Sequence, residues 1–198
     1  MGRTTGRSAD DTRRAVLTAA AVAIRTKGVH VSLDDIARQA GVSKGGLLYH
    51  FPSKEELILE LVRDLLASFR ASIEAHLDPQ DTMPGGLARA YLRTLFAPAE
   101  EEARDAIAVM IQLMVIPEVA ELARADARDL QAELGADGLS PEVLALVVSS
   151  ADGVSAAPLW GAAVAGEEYP RLGRHLIELT RRPELWEDLH WDERPAHP

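Results

Sequence analysis

Between Val31 and Leu57 the chain reads VSLDDIARQAGVSKGGLLYHFPSKEEL, and three of its positions, Ala37, Gly41 four later and Leu47 six after that, leave few ways to fold. Ser32 stands before Leu33-Asp34-Asp35-Ile36, a pattern in which a hydroxyl and a nearby acid supply acceptors to the free N–H groups of a helix start. A helix is predicted from about Leu33 to Ala40. Gly41 follows where the chain must turn with positive φ, a conformation open to glycine because it has no Cβ to clash. Ser43 then caps a second helix running to about Phe51. Two helices joined by so short a turn cross steeply. The crossing needs a small residue at Ala37 and apolar neighbours, found at Ile36, Val42, Leu47 and Phe51. The stretch therefore reads as a helix-turn-helix.

Leu47 and Phe51, four apart, share the buried face of the second helix, which leaves Lys44, Gly45, Gly46, Tyr49 and His50 outward, where DNA would be read. Ser32, Ser43 and Ser53 each open a helix whose unpaired N–H groups and partial positive charge would receive a phosphate. Lys54 adds a full charge beside Ser53. Charge along the chain agrees: net charge is −10, yet residues 1–54 hold nine Lys and Arg against four Asp and Glu, while residues 55–198 hold twelve against twenty-seven. The basic end is the predicted DNA end, and an acidic body repelled by phosphate would leave only that head to dock.

Leu17 with Ala19-Ala20, Gly28, Ser32, Ile36-Ala37, Ala40-Gly41-Val42-Ser43, Lys44-Gly45, Leu47, His50-Phe51, Ser53-Lys54 and Leu57 carry a family likeness. Over residues 14–60 the chain resembles the DNA-binding region of TetR-family transcriptional regulators. The resemblance implies phosphate contacts from Ser32, Ser43, Tyr49, His50 and Lys54, with residues Lys44 to Leu48 facing base edges. Three positions depart from the family pattern. Leu48 stands where a tyrosine is usual and the aromatic is shifted to Tyr49; Gly46 takes a place often held by Thr or Ala; Ile24 replaces a common core Phe. The adjacent glycines either let the backbone approach the groove closely or leave few direct base contacts and more reliance on DNA shape.

The rest of the chain is predicted to be all-α. Residues 1–9 read as a basic arm with Arg3 and Arg7, residues 10–52 as the DNA-binding head, 53–182 as a larger helical body and 183–198 as an irregular tail with Trp186 and Trp191. Arg13-Arg14 followed by Ala15 to Ile24 imitates a secretory signal, but Leu17, Ala20, Ala21 and Ile24 fall at helical spacing and Gly28 stops the run. Body helices are expected from Ser53 to about His76, at 87–97, 100–116, from Pro117 to Gly135, at 141–165 with a kink at Pro158, and at 170–182. The segment Val109 to Ile116, apolar all round apart from Gln112, is expected to be buried. No cysteine is present, so disulfides are excluded. Without an unbroken apolar run of about 18 residues, the chain is expected to be cytoplasmic.

No catalytic constellation emerges. The six histidines lack metal-ligand spacing, no nucleophile and base are paired, and neither a cofactor nor an enzymatic activity is expected. Asp152, inside an apolar helix, needs a partner there, as an acid bonded to a neighbouring helix or as a polar anchor for a ligand. By the resemblance the body dimerises and senses a small molecule. A homodimer is expected through the helices near 141–165 and 170–182, whose Val143, Leu144, Val147, Val148, Val154, Leu172, Leu176 and Leu179 exceed what one small body should expose. A cavity lined by Phe69, Tyr91, Met110, Met114 and Trp160, with Gln112 and Asp152 as polar anchors, would suit an apolar effector with one or two hydrogen-bonding groups. The function so implied is a ligand-responsive repressor binding a palindromic operator as a dimer. The alternatives are an α-helical enzyme or carrier with an appended helix-turn-helix, and a regulator that activates or answers to a protein partner.

Overall fold

The computed structural model describes residues 8–97, 101–157, 168–182 and 185. Among these residues nine helices and no strand are found: α1 (Ala9–Lys27), α2 (Leu33–Ala40), α3 (Lys44–His50), α4 (Lys54–Ala75), α5 (Gly86–Phe96), α6 (Glu101–Leu113), α7 (Pro117–Gly135), α8 (Pro141–Ala156) and α9 (Glu168–Thr180). None is long and apolar enough to cross a membrane. The chain divides into two compact units, one of residues Met1–Phe69 with Glu100–Ala127, the other of Arg70–Ala99 with Arg128–Pro198.

In the first unit α1 begins earlier than its sequence suggests. Ser8 and Ala9, assigned above to the arm, are its cap and first residue: the Asp11 N–H donates to Ser8 Oγ (3.0 Å) and the Ser8 N–H returns to Asp11 Oδ2 (3.2 Å). Arg3 and Arg7 lie outside the described residues. Val16, Leu17, Ala20, Ala23 and Ile24 of α1 are buried against Ile36, Ala37, Leu47, Phe51, Leu57, Leu61 and Val62, and Val109, Leu113 and Val119 join the same core. Small residues along α1 and α2 let the helices approach closely.

Helix α6 ends at Leu113, not at 116, because Pro117 opens α7 and residues 114–116 form the turn between them. The expectation that 109–116 is buried all round is therefore corrected. Val109 and Leu113, four apart, reach the core, whereas Ile111, Met114 and Val115 are exposed.

The second unit is organised around a residue that sequence patterning does not mark. Arg89 of α5 is fully buried, and acceptors surround its guanidinium. Nε and Nη2 donate to the two oxygens of Asp81 (2.6 and 2.7 Å), Nη1 to the Pro84 carbonyl and Thr180 Oγ1 (2.8 and 3.3 Å), and Nη2 also to the Met83 carbonyl (2.9 Å). All five of its donors are thus satisfied. Arg181 adds a second cation 3.3 Å from Asp81. Hydrogen bonds from Arg89 hold the Asp81 carboxyl low, at about 2, against the opposing effect of burial. Helix α9 lies so close to α5 that a Cβ at Gly173 would meet Phe96 at 2.6 Å.

Helix α8 starts as expected, with Ser140 Oγ accepting from the Val143 N–H (3.3 Å) and Pro141 in the first turn. Its continuation to 165 and the Pro158 kink lie outside the described residues. Helix α9 starts two residues before Pro170, which occupies the first turn, where no intrahelical N–H is needed. Val143, Val147 and Leu176, counted above among apolar residues for a partner chain, are instead buried within their own unit. Leu146 and Leu172 are the large apolar side chains exposed on α8 and α9.

Candidate nucleic-acid interface

Four caps set the head's geometry. Ser32 Oγ accepts from the Asp35 N–H (3.1 Å), Ser43 Oγ from the Gly46 N–H (3.0 Å) and Ser53 Oγ from the Glu56 N–H (3.0 Å). Between α2 and α3, Gly41 takes φ 69° and ψ 31°, and the Val42 N–H returns to the Ala37 carbonyl (3.0 Å), closing α2 in a left-handed turn. That turn aims α3. Leu47 and Phe51 are fully buried, so α3 has one face locked in the core and the other outward.

The buried end of α3 is covered by Arg13, which α4 holds in place. The Arg13 guanidinium lies 5.1 Å from the centre of the Phe51 ring and pairs with Glu60 of α4, which also accepts from Arg63 (2.5 Å). Although burial pushes the Glu60 carboxyl up, hydrogen bonds from Arg63 and Arg13 leave it net below the usual range. Nothing in the spacing of Arg13 and Glu60 marks them as partners. They are 47 positions apart and meet only when α1 and α4 pack.

On the outward face Tyr49 is 83% exposed, and its ring meets that of His50 edge-on at 5.2 Å. Gly45 is exposed, and a Cβ there would touch nothing; one at Gly46 would stand 3.2 Å from Ser43 Oγ. Leu48 is half-buried. Both lysines are already engaged. Lys44 Nζ donates to Asp34 Oδ2 (2.8 Å), and Lys54 Nζ donates to the Val29 carbonyl (2.7 Å), tying the start of α4 to the loop after α1. The Ser32 hydroxyl donates to Asp35 Oδ2 (3.0 Å), and this bond, assisted by Lys27 and Arg38, lowers the Asp35 carboxyl. Ser32, Ser43, Lys44, Gly45, Gly46, Leu48, Tyr49, His50 and Lys54 thus fall on α3 or on the helix starts beside it. Asp34 was not singled out from sequence; only the turn brings it to Lys44.

Of the residues proposed for a ligand cavity, Phe69, Met110, Gln112 and Met114 belong to the first unit. Met110 packs on the head's core, Gln112 Nε2 donates to the Arg25 carbonyl in the last turn of α1 (3.4 Å), and Met114 is 41% exposed. Arg25 also pairs with Asp105 of α6 (3.0 Å). Tyr91 and Asp152 belong to the second unit, where the Tyr91 hydroxyl donates to Asp152 Oδ1 at 2.5 Å. Burial, then the bond to Asp152, pushes the Tyr91 phenol up. Trp160 lies outside the described residues. Among those described, no cluster of three or more acids and histidines is placed to hold a metal ion.

Residues 16–61 match the family of bacterial regulatory proteins, tetR family, and residues 85–181 match the tetracyclin repressor-like C-terminal domain. Over 95 residues, 46% of this chain, the sequence is 37% identical to the HTH-type transcriptional regulator RutR of Escherichia coli (strain K12). The match covers 44% of RutR, less than half its length. The fold is similar to that of the fatty acid degradation regulator FadR from Bacillus halodurans, with a TM-score of 0.66 and 17% identity over 90% of this chain and 96% of that one. The multidrug binding protein EbrR, solved with malachite green, is similar at a TM-score of 0.65 and 22% identity over 86% of this chain and 96% of that one. At such identities these two likenesses are of fold alone. With both family matches in chain order on a capped helix-turn-helix and a helical body, the chain belongs to the TetR family of transcriptional regulators.

Proposed function

We propose that this chain is a cytoplasmic, ligand-responsive repressor without enzymatic activity that binds a palindromic operator as a homodimer. The observation that carries the reading is α3, capped by Ser43, anchored by Leu47 and Phe51, and outward with Lys44, Tyr49 and His50. Ser32, Ser43, Tyr49, His50 and Lys54 take phosphates in this reading, and Lys44 to Leu48 face base edges. Two such helices must sit roughly 34–36 Å apart to enter successive major grooves. A ligand then changes affinity by favouring one spacing of the heads over another. Helix α4, which starts at Lys54 beside the reading helix, and α6, which contacts Arg25 at the end of α1, are the elements through which the spacing would change.

In the second unit the Tyr91–Asp152 pair supports an effector with a hydrogen-bonding group able to exchange with that bond. The test is selection of bound duplexes from a random pool by the full chain. A palindromic motif should be enriched, with affinity falling steeply as salt rises through counterion release. Lys54→Ala should weaken every duplex alike and reduce the salt slope by about 1. A pool with no enriched sequence at any salt overturns the reading.

A further inference from the structure

The reading helix lacks side chains near its start, since Gly45 and Gly46 follow Lys44. Chemistry at this end comes instead from Lys44 at the first position of α3 and Asp34 at the second position of α2. The Lys44 ammonium donates to Asp34 Oδ2 at 2.8 Å, and the two side chains are 52% and 61% exposed. So exposed a pair adds little to stability. A carboxylate on a surface that meets phosphates is also repelled by them. As an acid in the first turn of α2, Asp34 suits the helix start, but that role does not call for Lys44 of the next helix 2.8 Å away.

We propose that Lys44 and Asp34 act together as one reading unit for a single G·C base pair, a specificity role that rests on the DNA-binding function above. With one N–H spent on Asp34, the Lys44 ammonium keeps two donors, while the Asp34 carboxylate keeps free lone pairs. Across the major groove a G·C pair presents N7 and O6 acceptors side by side on guanine, then the N4 amino donor on cytosine. The two remaining lysine donors match the guanine acceptors, and the carboxylate matches the amino group. An A·T pair alternates acceptor, donor and acceptor, which offers Lys44 a single acceptor and sets thymine O4 against the carboxylate. The ion pair also holds the lysine, a flexible side chain, in one place before DNA arrives.

The experiment is duplex selection by the full chain and by its Lys44→Ala and Asp34→Ala variants, with melting temperatures measured alongside. The wild-type motif should hold one fixed G·C pair in each half-site. Each variant should lose about tenfold discrimination at that same position, and the double variant no more than the worse single one. Other positions and the melting temperature should stay unchanged. Variants that relax different positions, or a wild-type motif without a fixed G·C pair, overturn the proposal. So does Asp34→Ala tightening binding to all duplexes alike, which would leave Asp34 only a repulsive charge. Failure of the wild type to enrich any sequence would instead remove the DNA-binding reading beneath it.

Discussion

Lys44, Lys54 and the capping serines hold partners within the chain before any DNA is met, so the head's polar groups are ordered in advance. Gly45 is the exception, with no side chain and open space where one would begin. Gly45→Ala should raise the melting temperature, because alanine is favoured over glycine in a helix by up to about 1 kcal/mol. If the bare backbone is needed against the groove, the same change lowers operator affinity. Opposite movements of the two readouts assign the glycine to DNA approach, whereas unchanged affinity leaves it as shape tolerance. The capping serines and the glycine pair were legible from local pattern. The Lys44–Asp34, Lys54–Val29 and Tyr91–Asp152 bonds were not, since each joins residues of different elements. Asp152, expected to need a partner inside an apolar helix, is instead exposed on α8, so burial does not demand its bond from Tyr91.

At the scale of elements, the Asp81–Arg89 node fastens the loop before α5 to α5 itself, and Thr180 and Arg181 bring in the end of α9. The Asp81 carboxyl is held at about 2 in the folded chain against 3.8 for an ordinary aspartate, so the unfolded chain takes up the proton first as pH falls. Its contribution is present in full above about pH 4 and lost as pH falls through about 2. Thermal melts of wild type and Asp81→Asn over this window should converge at the acid end and separate at neutral pH. Parallel curves would mean that Asp81 contributes nothing through its charge. Arg89 escaped sequence analysis because an arginine on the α5 stripe reads as an interruption of the pattern. Five acceptors from two segments, residues 81–84 and Thr180, must converge before its burial becomes favourable.

For the whole molecule the question is what covers α8 and α9. Leu172 is 38% exposed and Leu176 only 4%, which separates two variants that look alike in sequence. In the proposed dimer Leu172→Glu should shift sedimentation toward monomer with the helical signal retained. Leu176→Glu, by burying an unpaired carboxylate, should cost several kcal/mol and unfold the body. A Leu172→Glu chain that still sediments as a dimer would move the interface away from α9. The uneven charge belongs to the same scale: in the proposed function the basic residues 1–54 meet phosphate and the acidic residues 55–198 are repelled by it.

The sequence by itself determined the helices, the turn at Gly41 and the outward face of α3, because each depends on residues within a few positions of one another. Caps, positive φ and the four-residue spacing of buried side chains are local physics, and they hold wherever the rest of the chain goes. Tertiary structure alone decided which apolar residues of α6, α8 and α9 are spent inside and which stay outside. It alone paired Arg13 with Glu60 and Arg89 with Asp81. Helical periodicity names an apolar face but not what lies against it, and an ion pair between distant positions exists only once packing has brought its partners together.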